Sequence, residues 1–355
     1  MKLGLIKLGL LAVAMGGCSE GGEAASGPEP VEEAAFASAW SEFLTPAEVD
    51  GALPLLASRG VAVNLAWPSS SLSDPARLAL VESARDAGVE IRPWLLLPEA
   101  DGYWPGSANA AVFAKSARGL MDLWAQHDLS PTTLIVDMEM EKGRVDQLDV
   151  LWSKQDVLGA VQLLKSGVDR DRYSAATAEY AELVSEAKSR GWRVHLTTLP
   201  QVLDDYADDD DGLRQAFGIP VEGIAWDTVT FQAYRTLFGE MLGGDTPPTE
   251  FFVYSYGKDA RKLFGESAGL DVGMVGAGVS PSATYASGAE LSADLAAAAA
   301  AGVPRAALNV YNLDGMLARE PVEQWLELPA SSGPPSEEPA TLEIRKTVAT
   351  LDGVL

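Results

Sequence analysis

Apolar strand-like runs alternate with amphipathic helix-like runs along most of the chain, and this alternation constrains the fold more than any other feature. Residues 61–67 (VAVNLAW), 90–98, 132–141 (TTLIVDMEME), 193–199, 228–234 (TVTFQAY), 272–279 (VGMVGAGV) and 306–314 (AALNVYNLD) each read as a strand. Helices are expected between them: one opened by Thr45-Pro46, one from Asp74-Pro75 to near Gly88, and others over 108–126, 174–191, 249–264 and 289–301. Thr and Asp before a first-turn proline are good helix starts. Repeated βα units argue for a parallel sheet. With residues 35–43 (AFASAWSEF) as a first strand, the count reaches eight. Eight units close a (β/α)8 barrel, and a body of about 290 residues suits one. The rival is an open doubly wound sheet, but no Gly-rich phosphate loop follows an early strand. We therefore expect a single-domain α/β fold, a (β/α)8 TIM barrel, over residues 35–328.

The two ends differ from this body. Lys2 and Lys7 precede a short apolar stretch, and Gly16-Gly17-Cys18 follows it. That order reads as a secretory signal over residues 1–17, too short to span a bilayer. It resembles the lipobox of bacterial lipoproteins, which implies acylation at Cys18, the only cysteine of the 355 residues. A single cysteine excludes an internal disulfide, a CxxC metal site and a redox pair. Ser19 follows, and by the lipoprotein sorting rule this implies export to the outer membrane. Residues 18–34 are Gly, Ala, Pro, Ser and Glu with little bulky apolar content, a flexible tether. Residues 329–355 read as a low-complexity tail, with 341–355 either a short element packing back or loose. The net charge of −25 argues against nucleic acid or an anionic membrane surface as a partner. Membrane contact is expected through the lipid alone, and the chain is expected to be a monomer.

The most informative segment is Asp137-Met138-Glu139-Met140-Glu141. Strand side chains alternate, so the three acids share one face and the two methionines the other. The apolar run Leu134-Ile135-Val136 puts the acids at the C-terminal end of a buried strand, where barrel enzymes keep their active sites. Carboxylates spaced about 7 Å apart repel one another when buried. One pKa should rise, giving a proton donor beside an ionised partner, the pairing that glycosidic cleavage needs. The alternative is that the strand ends early and Glu139 and Glu141 open a solvated loop with Lys142 and Arg144.

Thr228, Thr230, Gln232 and Tyr234 alternate in the same way and suggest a polar barrel interior. Asn309 and Tyr311 do so on the last strand, and Asn64 is the one polar side chain of its run. A Tyr hydroxyl and a Gln amide can hold a sugar or orient a carboxylate. Trp67, Trp94, Tyr103 and Trp104 lie near strand ends, where flat rings suit sugar faces. Taken singly, Trp94 reads more simply as a core residue and Trp67 as one covering a helix, and Tyr103-Trp104, in a Gly/Pro-flanked loop, is the better platform.

These residues resemble the family 18 glycoside hydrolases, the chitinase-like barrels. That family carries D-x-x-D-x-D-x-E on its fourth strand and a Tyr motif on its sixth, Q-x-Y in some members. Asp137-Met138-Glu139-Met140-Glu141 resembles the D-x-D-x-E end, and Gln232-Ala233-Tyr234 resembles Q-x-Y. The resemblance implies Glu141 as general acid, Glu139 where an Asp supports the substrate acetamido group, and Tyr234 assisting. Glu139 replaces that Asp, the earlier Asp and Gly are absent, and Tyr311 stands where a Trp is usual.

Two histidines, His127 and His195, are too few for most metal-dependent barrel hydrolases. No G-x-S-x-G accompanies them. Asp208 to Asp211 fails the spacing of a calcium loop. The expected function is glycoside hydrolysis by carboxylate acid/base catalysis on a carbohydrate substrate, with no cofactor and no metal. A glycan-binding lipoprotein on a degenerate barrel is the alternative, and a metal-dependent lyase or isomerase using the same acids is a third. For the N-terminus, palmitate labelling in a bacterial host is expected to mark the chain and to be lost in Cys18→Ser; equal labelling of both would remove Cys18 as the acylated residue.

Overall fold

Eight parallel strands close into a barrel in the computed structural model, in the order β1 to β8 with each strand paired to its sequence neighbours and β1 to β8. The structure describes residues 34–207, 210–242, 247–276, 283–326 and 333–355. The strands are β1 Ser38–Ser41, β2 Ala62–Pro68, β3 Ile91–Leu96, β4 Thr133–Met138, β5 Arg193–Thr198, β6 Thr228–Gln232, β7 Ala268–Gly273 and β8 Leu308–Tyr311. The expected (β/α)8 barrel is therefore the observed fold, including the first strand. The signal, Cys18 and all but the last residue of the tether lie outside the described residues.

Helices follow the strands where their start signals fall. Thr45 caps α1 (Pro46–Arg59) through a capping box with Glu48, and Asp74 caps α2 (Pro75–Ala87). Next come α3 (Ala110–Gln126), α4 (Lys142–Ser153), α5 (Val157–Lys165) and α6 (Arg170–Ser189). After β5 come α7 (Val202–Asp205) and α8 (Gly212–Phe217), and after β6 come α9 (Arg235–Leu242) and α10 (Phe251–Phe264). The chain closes with α11 (Gly288–Ala300), α12 (Leu313–Leu317) and α13 (Pro339–Asp352). Outward strand residues such as Val63, Leu65, Leu134 and Val136 are buried beneath this shell.

Three expectations are corrected. β4 ends at Met138, not at residue 141, because Glu141 starts α4 as its N-cap residue. Met140 consequently leaves the helix-facing side and packs with Leu164 and Ala216. β7 runs Ala268–Gly273 rather than from 272, with residues 277–279 of the expected strand outside the described residues. Gly269 sits where a Cβ would collide with the Ala307 carbonyl and the Thr230 methyl, so close strand approach there requires glycine.

The third correction concerns the C-terminus. Residues 333–338 lead into α13, so of the two readings of 341–355 the element packing back is the observed one and the tail reading is corrected there; Glu338 caps α13 by accepting from the amides of Ala340 and Thr341. Ile344 and Val348 are buried one helical turn apart. Arg345 reaches Asp204 and Ser255, each at 2.7 Å, and so ties α13 to α7 and α10. Ile344 is fully buried, so Ile344→Ala is expected to destabilise the fold by roughly 2–4 kcal/mol. Chemical denaturation measures this; an unchanged midpoint would show that α13 contributes nothing to the fold.

Candidate active site

The inward faces of the strands carry a polar ladder that begins deep in the barrel. Asn64 Nδ2 donates to Ser38 Oγ at 2.9 Å, and Ser38 Oγ donates to Asn309 Oδ1 at 2.6 Å. Asn309 Nδ2 donates in turn to Asp271 Oδ1 at 2.7 Å. Trp40 Nε1 donates to the same Asp271 oxygen at 3.2 Å, while Thr197 and Thr230 donate to Oδ2. Burial raises the Asp271 pKa, and these four donors oppose that shift. His195 Nε2 lies 2.8 Å from Thr230 Oγ1. Burial, with Arg92 and Arg193 nearby, lowers its pKa to about 3, so it is a neutral core histidine.

Above this ladder, at the C-terminal mouth of the barrel, lies a cavity of about 590 Å³. Trp40, Glu42, Trp94, Asp137, Glu139 and Gln232 line its inner end, together with Tyr234 and Tyr311. Gln232 Nε2 donates to both Asp137 Oδ1 at 3.0 Å and Glu139 Oε1 at 2.8 Å. Two carboxyl groups that accept from one nitrogen are close enough to repel strongly when both are charged. Burial pushes Asp137 well above the usual carboxylate range, and Glu139, Asp271 and Glu42 add to it. Burial also pushes Glu139 up to about 7; the bond from Gln232 opposes this and Glu42 reinforces it. The two groups titrate as a pair.

Glu42 follows β1 on the inward register of Ser38 and Trp40. Asp314 fixes its backbone by accepting from the amides of Glu42, Phe43 and Leu44. Its carboxylate accepts from Tyr311 at 2.5 Å and from Tyr103 at 3.0 Å. Burial raises its pKa, and both tyrosine bonds favour the ionised form. Tyr103 holds its bond from a left-handed backbone, φ +64°, a conformation that costs a non-glycine residue about 1 kcal/mol or more. Tyr234 stacks at a tilt on Tyr311, with ring centroids 5.7 Å apart. Burial and the surrounding acids hold its hydroxyl well above the usual tyrosine range, so it is a neutral donor.

The structure thus brings together Asp137, Glu139, Gln232, Tyr234, Trp94, Trp104 and Tyr311 of the residues read from sequence. Asn64 and Asn309 lie beneath them in the ladder and do not line the cavity. Trp67 faces outward and packs on Trp124 at 5.0 Å, donating to the Leu72 carbonyl, so it is a core residue. Glu141 does not share the face of Asp137 and Glu139, because the strand has ended. It lies against Gly102, whose φ of +104° and near neighbours leave no room for a side chain. Glu141 is also absent from the cavity lining.

Sequence reading missed Glu42, Asp271 and Gln201. Glu42 was visible in the Ser38, Trp40, Glu42 alternation, and Asp271 as the single acid inside Leu270-Asp271-Val272. Nothing in the local pattern singles out Gln201.

Elsewhere, and among the described residues, Asp205, Asp210 and Asp352 bring carboxylate oxygens within 4.8 Å of one another. Asp205 already accepts from the Arg214 guanidinium and the Leu213 amide, so this is a structural ion pair.

No protein-family model matches the chain, and no curated protein matches it. Solved structures that resemble it include the PgaB (BpsB) glycoside hydrolase domain from Bordetella bronchiseptica, at 13% identity and a TM-score of 0.48, covering 84% of this chain and 99% of that one. Another is the D-allulose 3-epimerase from Methylomonas sp., at 13% identity and a TM-score of 0.43, covering 79% and 84%. A putative fructose-1,6-bisphosphate aldolase from Coccidioides immitis has 13% identity and a TM-score of 0.38, covering 90% and 89%. These likenesses concern the fold alone; the identities and scores are too low to bear on activity.

Proposed function

We propose that the chain is a glycoside hydrolase with Glu139 as its acid/base group. The observation that carries this reading is the buried pair Asp137 and Glu139 on the single Gln232 donor, facing a cavity of substrate size. A carboxyl held near neutral pKa can first give and then take back a proton. In this reading the Glu139 proton passes to the glycosidic oxygen as the C–O bond breaks. Water then adds to the anomeric carbon and returns a proton to Glu139. Glu42, held by two tyrosine hydroxyls that favour its ionised form, faces the same cavity, and as a carboxylate stabilises the positive charge that develops on the sugar ring. Trp104 and Trp94 offer apolar faces for the ring, and Tyr234 offers a neutral donor.

The resemblance to the chitinase-like barrels then rests on Asp137, Gln232 and Tyr234, with the acid role moved from Glu141 to Glu139. Substrate assistance by an acetamido group and a retaining outcome belong to this proposal, as does export of the chain with a lipid on Cys18. A non-catalytic glycan-binding barrel is the second reading. It is favoured by the departure of Glu141, the family's acid position, from the cavity.

A panel of fluorogenic glycosides, including N-acetylglucosamine oligomers and peptidoglycan fragments, tests the proposal. Glu139→Gln is expected to lower the rate by at least about 100-fold. The unaltered protein should lose activity as pH rises past about 7, where Glu139 gives up its proton. Full activity in Glu139→Gln would remove that residue from the mechanism. No turnover by folded protein across the panel would favour the binding reading.

A further inference from the structure

The cavity does not end at the acid pair. It continues outward as an apolar groove walled by Leu148 and Trp152 of α4, Leu164 of α5, Phe217 of α8, Met241 of α9 and Val348 of α13. Arg144 locks three of these walls together, donating to the Leu163 carbonyl at 2.9 Å and the Ala216 carbonyl at 2.8 Å. The groove is therefore a built feature of the inserted helices, continuous with the carboxyl groups at the barrel mouth. Water gains little in such a space, and an apolar ligand gains much.

Two further observations say what kind of ligand fits. First, both amide atoms of Gln201, which is 4% exposed and lines the cavity, have no protein partner. Such groups cost free energy unless a ligand satisfies them. Second, among the described residues the lining contains no Lys, Arg or His, while Asp149 and Glu240 stand beside the apolar walls. A phosphate or carboxylate head group would meet only like charge. At the tip of the α4–α5 pair, Val157 and Leu158 are 59% and 68% exposed, which adds apolar surface to the same helical unit.

We propose that the cavity binds an uncharged glycoside with an apolar aglycone, a glycolipid-type substrate. The sugar sits at the acid pair, hydrogen-bonded by Gln201, and the alkyl chain runs along Leu148, Trp152, Leu164 and Val348. This rests on the glycoside reading above for the chemistry at the sugar, and it adds the class of the leaving group.

Calorimetric titration of the full-length Cys18→Ser chain with methyl, hexyl and octyl β-glucoside, each below its micelle concentration, tests the proposal. Affinity is expected to rise about three- to fourfold per added methylene, which over the seven methylenes from methyl to octyl glucoside makes octyl at least about 1,000-fold tighter. An affinity independent of chain length, or no binding by any of the three, overturns the proposal. Octyl sulfate binding as tightly as octyl glucoside would overturn the uncharged head group. Leu148→Asp is expected to weaken octyl glucoside at least about tenfold while sparing methyl glucoside. Trp152→Ala provides the same test if the charged variant fails to fold. Glu139→Gln should keep the chain-length dependence. In the unaltered protein, chain-length dependence without turnover would count against hydrolysis only, and turnover without chain-length dependence would count against this inference only.

Discussion

Asp271 accepts hydrogen bonds from Trp40, Thr197, Thr230 and Asn309, and the rest of the site depends on that arrangement. Those donors come from β1, β5, β6 and β8, and Asp271 itself lies on β7. One carboxyl group therefore fixes the inward register of five strands across the point where the barrel closes. Burying it is expensive, and only a full set of donors offsets the loss of water. Its strand partner is Gln232, the residue that holds the acid pair. Trp40 links the two levels: it donates to Asp271, lines the cavity and packs edge-on against Trp94 at 5.0 Å. The floor of the cavity is thus set by the same bonds that set the sheet.

Burial then does the electrostatic work. Glu42, Asp137 and Glu139 gather at the cavity with Asp271 beneath them, and among the described residues no cation lines the cavity. Each has a raised pKa, chiefly by desolvation. Their surroundings then separate them. Asp271 is saturated with donors, Glu42 is held by two tyrosines, and Asp137 and Glu139 must share one amide. Of the four, Glu139 is the one pushed up to about 7, which is why the proposed acid/base role is assigned to it. His195, the one buried histidine, is held neutral beneath the site and takes no part.

Much of this was legible in the chain because period-two alternation survives wherever a strand is buried on both faces. Leu134-Ile135-Val136-Asp137 and Val229-Thr230-Phe231-Gln232 gave both the strand and the inward side chains. The pattern failed where local chemistry changes within two residues. Glu141 continues the alternation on paper, but as a helix N-cap residue it no longer belongs to a strand. Asp271 was missed because the glycine- and valine-rich run after it resembles a strand better than Ala268–Gly273 does. The need for Gly269 comes from the Ala307 carbonyl, a neighbour the sequence does not reveal. The groove was also hidden: its walls come from helices far apart in the chain, and the apolar positions of α13 follow a Pro- and Ser-rich stretch that masked them.

The central claim is that Glu139, raised by burial beside Asp137, retains a proton up to about neutral pH. A carboxyl-carbon NMR titration of glutamate-labelled protein, assigned by its loss in Glu139→Gln, measures this directly. One glutamate is expected to titrate near 7 and to vanish in the variant. If Glu139 instead titrates at about 4 with the surface glutamates, it holds no proton near neutrality and the acid/base role assigned to it fails.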